Sequence, residues 1–440
     1  MTLPTPQEKH EKIFYGWAIV VAATLVTTFS WGTQYAFGVF FKPLLTEFGW
    51  SRAVTSGAFS LIMIVYGLSS ILLGGLSDRY GPRITILCGG FLVGLGTFLS
   101  YWIHSVWQLY LFYGLIMGIG MGGSYVPVMG VVSRWFGQRR GLALGIVVAG
   151  IGLGTLVMSP LSQFLISQWG WRKAYGIIGI IDWVIILSAA GLLAGDPKEK
   201  GKLPYGQVIG DENLGSEDLV KKQWMDPVVS LSFSQAERTS SFWVFLVINF
   251  LWYLNLYMVL VHLVAYATDK GIPAIEAANS LALLGGCSIF GKIAMGRLSD
   301  RIGGKSAIAI SFFLQTSATV LLITVEGLFM IYAFAALFGF SYGGVVPQQT
   351  KITGEIFGTA SMGSILGVIV FAGSIGGALG PFLGGFIFDR IGHYKLAFSL
   401  AALVLAAAFC LTFLLRKPQK VLTKGGGMRE KRRALKRGDI

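Results

Sequence analysis

The chain contains twelve apolar runs that are long enough to cross a bilayer. A helix needs about 20 such residues to span about 30 Å of hydrocarbon. The runs lie at roughly 16–42, 53–77, 82–103, 106–134, 139–167, 172–194, 241–268, 277–299, 305–325, 327–352, 358–388 and 394–415. Because lipid offers no hydrogen-bond partners, segments of this length cross it as helices. The predicted fold class is an all-α membrane protein with twelve transmembrane helices.

The charged residues agree with this prediction and indicate an orientation. Only 13% of the residues are charged, whereas a soluble chain has about 25%. If both termini are cytoplasmic, 27 of the 35 Lys and Arg residues lie inside and 7 lie outside, as the positive-inside rule requires. Ten of them lie in the C-terminal tail, where they can contact anionic lipid. The net charge of +14 therefore does not indicate a nucleic-acid partner.

The apolar runs divide the chain into two halves. We predict a cytoplasmic N-terminal segment (1–15), a six-helix bundle (16–194), a cytoplasmic linker (195–240), a second six-helix bundle (241–415) and a basic cytoplasmic tail (416–440). The linker is rich in charged residues, Ser and Pro and has no sustained apolar period.

The halves repeat each other in sequence. Residues 75–81 recur at 296–303, which places Asp78 and Asp300 222 positions apart. Residues 122–127 are echoed by residues 341–347. Echoes in the same order at nearly one offset indicate duplication of a six-helix unit, an organisation found in transporters with substrate between the halves.

The repeated loop resembles the signature of the major facilitator superfamily. Within that superfamily, residues 135–150 resemble the monocarboxylate porter and oxalate/formate antiporter family, as do residues 15–17 and 261–273. The resemblance covers nearly the whole chain outside the linker and the tail. It implies alternating access, with rim residues that latch the halves in the outward-facing state. The residues assigned to this gating role are Asp78, Arg79, Asp300, Arg301, Arg139 and Arg140. A simple positive-inside turn explains the arginines equally well, but not the repeated Asp-Arg pair.

Lys292 is the basic residue that lies well inside a predicted span. A charge at this depth is costly unless it faces a partner or a cavity. In the monocarboxylate porters an arginine at the matching place anchors the substrate carboxylate, so the resemblance implies that Lys292 binds an organic anion. Alternatively, Lys292 could snorkel to the headgroups, since Asp300 is only eight residues away.

Two positions depart from the proton-coupled members of that family. Their span-eight aspartate corresponds to Ser288, and their span-one lysine corresponds to Tyr35. Anion exchange, or coupling through another group, therefore becomes more plausible than proton symport. Asp182 and His262 are the candidates for such coupling, although a packing role is favoured for both.

Several aromatic residues fall on spans that face the cavity in this architecture. They are Tyr35, Tyr125, Phe338 and Tyr342, and with Lys292 and Ser288 they form the predicted substrate site. A phenol can donate to a carboxylate while its ring contacts an apolar tail.

The sequence contains no phosphate loop, catalytic triad or metal-ligand cluster. We therefore expect a monomeric inner-membrane transporter of a small organic anion, coupled to protons or a counter-anion, with no cofactor and no enzymatic activity. Two alternatives stay open: a facilitator of an uncharged solute or drug, and a membrane sensor or scaffold that moves no solute.

Overall fold

The computed structural model describes residues 14–137, 139–197, 203–205, 231–358 and 361–416, apart from the side chain of Asp78. Most of the predicted N-terminal segment, linker and tail lies outside these residues, so those predictions are not tested.

The described residues form a bundle of long helices. We number them α1 (Tyr15–Phe48), α2 (Arg52–Tyr80), α3 (Pro82–Trp102), α4 (Val106–Trp135), α5 (140–169), α6 (171–192), α7 (Ser240–Asp269), α8 (Ala274–Ile302), α9 (Gly304–Ile323), α10 (Leu328–Phe357), α11 (Met362–Ile391) and α12 (Lys395–Thr412). We call the end of the bundle that holds Phe14 and Arg416 the proximal end, and the opposite end the distal end.

Eleven apolar helical stretches in the described chain are long enough to span a membrane. One of them, Arg140–Leu192, has 53 residues and is broken at Gly170, where φ is 78° and ψ is 160°. A residue with a side chain rarely adopts this conformation, so glycine allows the chain to turn back there. The break divides this stretch into α5 and α6 and confirms the twelve-helix prediction.

The repeated loops have the same backbone geometry in both halves. Gly81 separates α2 from α3 with φ 88°, and Gly303 separates α8 from α9 with φ 83°. These are the glycines that close the duplicated sequence motif. The duplication therefore preserved a turn that requires a positive φ, which glycine adopts readily.

Helix packing follows the duplication. Within the first half α1 packs on α5 and α2 on α4, and in the second half α7 packs on α11 and α8 on α10. Between the halves, α2 packs on α11 and α5 packs on α8. These two contacts are themselves equivalent, since α8 and α11 are the repeats of α2 and α5. The fold is thus two similar six-helix bundles related by a pseudo-twofold axis.

Small residues allow the halves to approach closely. A Cβ added at Gly152 on α5 would lie 2.7 Å from the carbonyl oxygen of Gly285 on α8. On the other side of the axis, the hydroxyl of Ser60 on α2 donates to the carbonyl oxygen of Ala378 on α11. Close packing of this kind is what holds helices together in lipid, where burial of apolar surface contributes little.

The hydrogen bonds and ion pairs that join the halves in the described chain lie in two places. Some lie near the middle of the helices, such as Lys292 to Val148, and the others lie at the distal end around Arg52. In the described residues near the proximal end, polar contacts stay within one half, as for Ser241 with Arg416. The halves are therefore closed against each other at the distal end.

Candidate functional site

Aromatic side chains from both halves meet at the pseudo-twofold axis. We call this set the aromatic cluster; it consists of Trp31, Tyr35, Tyr66, Tyr125, Tyr253, Tyr257 and Tyr342. The phenol oxygens of Tyr35 on α1 and Tyr257 on α7 are hydrogen-bonded at 3.3 Å. Tyr342 on α10 lies close enough to interact electrostatically with both. The cluster combines ring faces with phenols that can bind a polar group.

Trp31 organises the first-half side of this cluster. Its ring centroid lies 5.8 Å from that of Tyr35, 5.4 Å from that of Tyr66 and 5.8 Å from that of Tyr125. The rings meet edge to face, which is the favoured geometry for aromatic pairs. The indole Nε1 of Trp31 is buried and has no hydrogen-bond partner among the described residues. It is therefore a donor available to a bound molecule.

Lys292 lies between the halves, beside the aromatic cluster. Its side chain is buried, and Nζ donates to the carbonyl oxygen of Val148 on α5 at 3.1 Å. Nζ also lies 5.8 Å from the ring centroid of Tyr342. In the described chain we find no carboxylate within ion-pair distance of it. An ammonium with three donors and one protein acceptor has donors left for an anion.

The two other predicted site residues, Ser288 and Phe338, each lie one helical turn from a residue of this arrangement. The hydroxyl of Ser288 donates to the carbonyl oxygen of Gly285 at 2.7 Å, at the α5–α8 crossing. Phe338 is fully buried, and its ring contacts that of Phe334 at 5.2 Å. No side-chain hydrogen bond or ring contact between either residue and the aromatic cluster is found in the described chain. Their predicted role in substrate binding stays a prediction.

The two candidate coupling residues are buried and hydrogen-bonded. Asp182 on α6 accepts from the Thr33 hydroxyl on α1, at 3.0 Å to Oδ1 and 3.1 Å to Oδ2. His262 on α7 contacts the Tyr394 hydroxyl at 2.9 Å and the Pro381 carbonyl oxygen at 2.8 Å. Both therefore make the neighbour contacts that a packing role requires, and coupling stays a prediction.

The predicted gating residues lie at the proximal end. Asp300 pairs with Lys351 of α10, in its own half, at 2.7 Å. Arg139, with φ 56°, directly precedes α5, and its guanidinium lies 5.9 Å from the ring centroid of Tyr205. Arg79 lies 5.4 Å from the ring of Tyr80.

No bond across the halves is found for Arg79, Arg139, Arg140, Asp300 or Arg301 in the described part of the chain. The side chain of Asp78 lies outside what the structure describes. The latch predicted at this end would form only in another state of the molecule, so it stays a prediction.

Comparison with known families shows to which protein family this chain belongs. The model of the Major Facilitator Superfamily matches residues 22–294 and 280–438. The chain belongs to the major facilitator superfamily. The sequence resemblance and the predicted fold class are thereby confirmed.

Relatives of known name support the same assignment. Monocarboxylate transporter 13 of Bos taurus is 28% identical over 426 residues, which cover 93% of this chain and 94% of that protein. Monocarboxylate transporter 4 of Rattus norvegicus is 27% identical, and the matched region covers 88% of this chain and 80% of that protein. Monocarboxylate transporter 12 of Homo sapiens is 28% identical, with 88% and 77% covered.

Solved structures show the same fold. A bacterial homologue of the human lysosomal transporter Spinster, crystallised inward-facing and unoccupied, superposes with a TM-score of 0.68 at 18% identity, over 92% of this chain and 95% of that chain. The occupied inward-facing form gives 0.70 at 16% identity, over 92% and 97%. This protein is an integral membrane transporter of the superfamily, and the relatives are transporters rather than enzymes, as predicted.

Proposed function

We propose that this protein is a secondary active transporter of a small organic anion that works by alternating access. Monocarboxylates and short dicarboxylates are the candidate substrates, moved by symport or by anion exchange. The protein would act as a monomer in the cell's inner membrane, with both termini cytoplasmic. The three relatives named above are monocarboxylate transporters, which supports a carboxylate substrate.

The observation that carries this proposal is the position of Lys292. Its ammonium lies between the halves, bonded to a carbonyl oxygen of α5 and next to the ring of Tyr342. A carboxylate could replace the carbonyl of Val148 as its partner and gain a charge-assisted bond. Because the donor is on one half and its present acceptor on the other, such an exchange would alter a contact between the halves.

The pseudo-symmetric packing supports alternating access. The contacts α2–α11 and α5–α8 are equivalent by the repeat, so the halves can rock about the axis between them. The described structure is closed at the distal end, so the complementary state would open there. If the termini are cytoplasmic, the structure represents the inward-facing state.

Coupling is the second part of the proposal. Ser288 and Tyr35 occupy the places of the acidic and basic residues of the proton-coupled members, and neither can carry a charge at neutral pH. Exchange of one anion for another needs no such relay. We therefore favour exchange, with symport through another group as the second candidate.

Uptake by purified protein in liposomes tests the proposal. Labelled lactate, pyruvate, formate and oxalate would be offered to wild type, Lys292→Gln and Lys292→Arg, with and without a pH gradient and with anion preloaded inside. We expect uptake by wild type and by Lys292→Arg, and at least a tenfold loss in Lys292→Gln, corresponding to about 1.4 kcal/mol or more. Stimulation by preloaded anion would indicate exchange, and stimulation by the pH gradient would indicate symport.

The same measurement separates the rival functions. Equal uptake of the anions by wild type and Lys292→Gln would contradict the anchor. Flux of neutral solutes without flux of any anion would favour an uncharged solute or a drug as cargo. Absence of any flux, for anions and neutral solutes alike, would favour a membrane sensor or scaffold. A circular dichroism spectrum and a size-exclusion profile matching those of wild type would show that Lys292→Gln folds.

A further inference from the structure

A charged network joins the two halves at the distal end. The guanidinium of Arg52, at the start of α2, donates to Asp269 Oδ2 at 2.6 Å and to the Tyr394 hydroxyl at 2.7 Å. The backbone nitrogens of Arg52 and Ala53 donate to the Asp389 carboxylate at 2.9 Å and 2.8 Å. Arg52 belongs to the first half, whereas Asp269, Tyr394 and Asp389 belong to the second.

Burial makes this network stronger than an ordinary surface ion pair. The Arg52 side chain is 11% exposed and that of Asp269 is 25% exposed. The guanidinium carbon also lies 3.5 Å from the ring centroid of Phe388. Partial removal from water strengthens charge-assisted hydrogen bonds. Lys42 on α1 adds a second ion pair to Asp269 from the first half.

His262 lies beneath the network, in contact with it through Tyr394. Nε2 of the imidazole lies 2.8 Å from the carbonyl oxygen of Pro381, which can only accept, so Nε2 carries the hydrogen. Nδ1 lies 2.9 Å from the Tyr394 hydroxyl. That hydroxyl already accepts from Arg52, and burial raises the pKa of the phenol, so its own hydrogen is donated to Nδ1.

With His262 neutral, each hydrogen in this chain of bonds is donated to an acceptor. A second proton on Nδ1 would face the hydrogen of Tyr394, so the hydroxyl would have to turn away and give up the bond that it donates to Nδ1. It would also place a cation beside the Arg52 guanidinium, which interacts electrostatically with the imidazole. The closed arrangement therefore disfavours protonation of His262.

One carboxylate near His262, that of Asp389, could favour its protonation. Phe41 of α1 packs edge-on against the imidazole at 5.1 Å, and Gly384 of α11 lies against its other side. The charged groups that face it are Arg52 of α2 and Asp389 of α11, with Asp269 and Lys42 beyond Arg52. The Asp389 carboxylate accepts hydrogen bonds from two backbone nitrogens of α2, and we find none between it and the imidazole in the described chain.

We propose that Arg52, Tyr394 and His262 form a latch that holds the halves together at the distal end and that a second proton on His262 releases. A proton that binds the open state more tightly than the closed state shifts the population towards the open state. The latch couples pH to conformation without any substrate. It is independent of the role proposed for Lys292.

Pulsed electron paramagnetic resonance on the substrate-free full chain tests this proposal. Spin labels would be attached through Thr46→Cys on α1 and Ala274→Cys on α8, two exposed distal positions that line one cavity of about 410 Å³. The native cysteines Cys88, Cys287 and Cys410 would first be replaced by serine. We expect the ratio of long to short distances to rise about tenfold between about pH 8 and about pH 5, the range in which histidine titrates.

Three variants decide between the latch and its rivals. His262→Gln keeps a donor for Pro381 and an acceptor for Tyr394 but cannot be protonated there, so we expect it to stay closed across this range. Arg52→Gln should be open at every pH. Lys42→Gln is the matched control, since it removes a distal cation that does not contact Tyr394, and it should keep the pH response.

Several results would overturn the proposal. An unchanged pH response in His262→Gln would show that a group other than His262 controls the opening. A wild type that does not respond to pH, or an Arg52→Gln variant that stays closed, would eliminate the latch. If His262→Gln does not fold, Tyr394→Phe replaces it. Loss of the phenol hydrogen should then move the midpoint of the response to higher pH, and an unmoved midpoint would contradict the role of His262.

Discussion

The phenol oxygens of Tyr35 and Tyr257 lie 3.3 Å apart, and the two residues are 222 positions apart in the chain. The same offset separates Asp78 from Asp300 in the repeated loops. Tyr35 and Tyr257 are therefore equivalent residues of the two halves that meet across the pseudo-twofold axis. Trp31 and Tyr253, one helical turn earlier, share the offset. Duplication thus placed a matched aromatic pair from α1 and α7 at the proposed substrate site.

This relationship predicts an effect of removing either phenol. Tyr35→Phe and Tyr257→Phe each remove a hydrogen-bonding group from the aromatic cluster while keeping the ring. We expect KM for the transported anion to rise about two- to tenfold in each, as the loss of about 0.5–1.5 kcal/mol per hydrogen bond implies. Initial uptake rates in liposomes at increasing substrate concentration would measure it.

Tyr175→Phe is the matched control for these variants. Tyr175 is also fully buried, its ring stacks on Phe40 at 3.8 Å, and its hydroxyl has no partner among the described residues. We expect KM to be unchanged in this variant. An equal rise of KM in all three variants would indicate a general packing effect rather than contact with substrate.

The unpaired indole of Trp31 predicts different effects on binding and on stability. Trp31→Phe removes a buried donor that lacks a partner in the described chain, so it should lower the thermal unfolding temperature less than loss of a hydrogen-bonded indole does. It should raise KM, because the donor faces the aromatic cluster. Trp252→Phe is the contrast: Trp252 Nε1 donates to Gln315 Oε1 at 3.1 Å, and its loss should cost about 1–3 kcal/mol of stability.

Thermal unfolding of the purified variants and uptake in liposomes would be compared. If Trp31→Phe is destabilised as much as Trp252→Phe and transports normally, the indole is a packing group.

The α5–α8 crossing predicts a strong effect of one added methyl group. A Cβ at Gly285 would lie 2.6 Å from the Cβ of Thr155 and 2.8 Å from the carbonyl oxygen of Gly152. Gly285→Ala should therefore separate the helices and cost about 1–3 kcal/mol. At the neighbouring Gly286 the nearest atom, a methyl of Leu156, lies 3.4 Å away. Gly286→Ala should leave the unfolding temperature unchanged or raise it slightly.

These two variants would be compared by thermal unfolding in the same detergent. Similar unfolding temperatures for both alanine variants would show that the crossing has room to adjust.

The bond between Asp182 and Thr33 predicts that Asp182 has a packing role. Asparagine keeps an oxygen that can accept from the Thr33 hydroxyl but cannot exchange a proton. We expect Asp182→Asn to transport at the wild-type rate and to respond to a pH gradient as wild type does. Thr33→Val should lower stability by about 1 kcal/mol. Loss of the gradient response in Asp182→Asn alone would instead identify Asp182 as a coupling residue.

Much of the candidate site could be predicted from the sequence because charge is rare in lipid. Lys292 stood out as a cation inside its apolar run. Tyr35, Tyr125 and Tyr342 followed from the architecture that the family resemblance implies. Trp31, Tyr66, Tyr253 and Tyr257 were missed, although the 222-residue offset would have paired Tyr257 with Tyr35. Distal residues such as Arg52 were interpreted only as part of the charge balance between the two sides.

The sequence by itself determined the number of helices, the duplication and the family. Hydrocarbon length sets the minimum apolar run, and a duplicated gene leaves its offset in the residues. Only the tertiary structure decided which helix faces meet, since lipid-facing and protein-facing sides of a membrane helix are both apolar and periodicity cannot distinguish them. That Lys292 bonds to α5, and that Arg52 joins α2 to α7 and to Tyr394, are consequences of helices brought together from opposite halves of the chain.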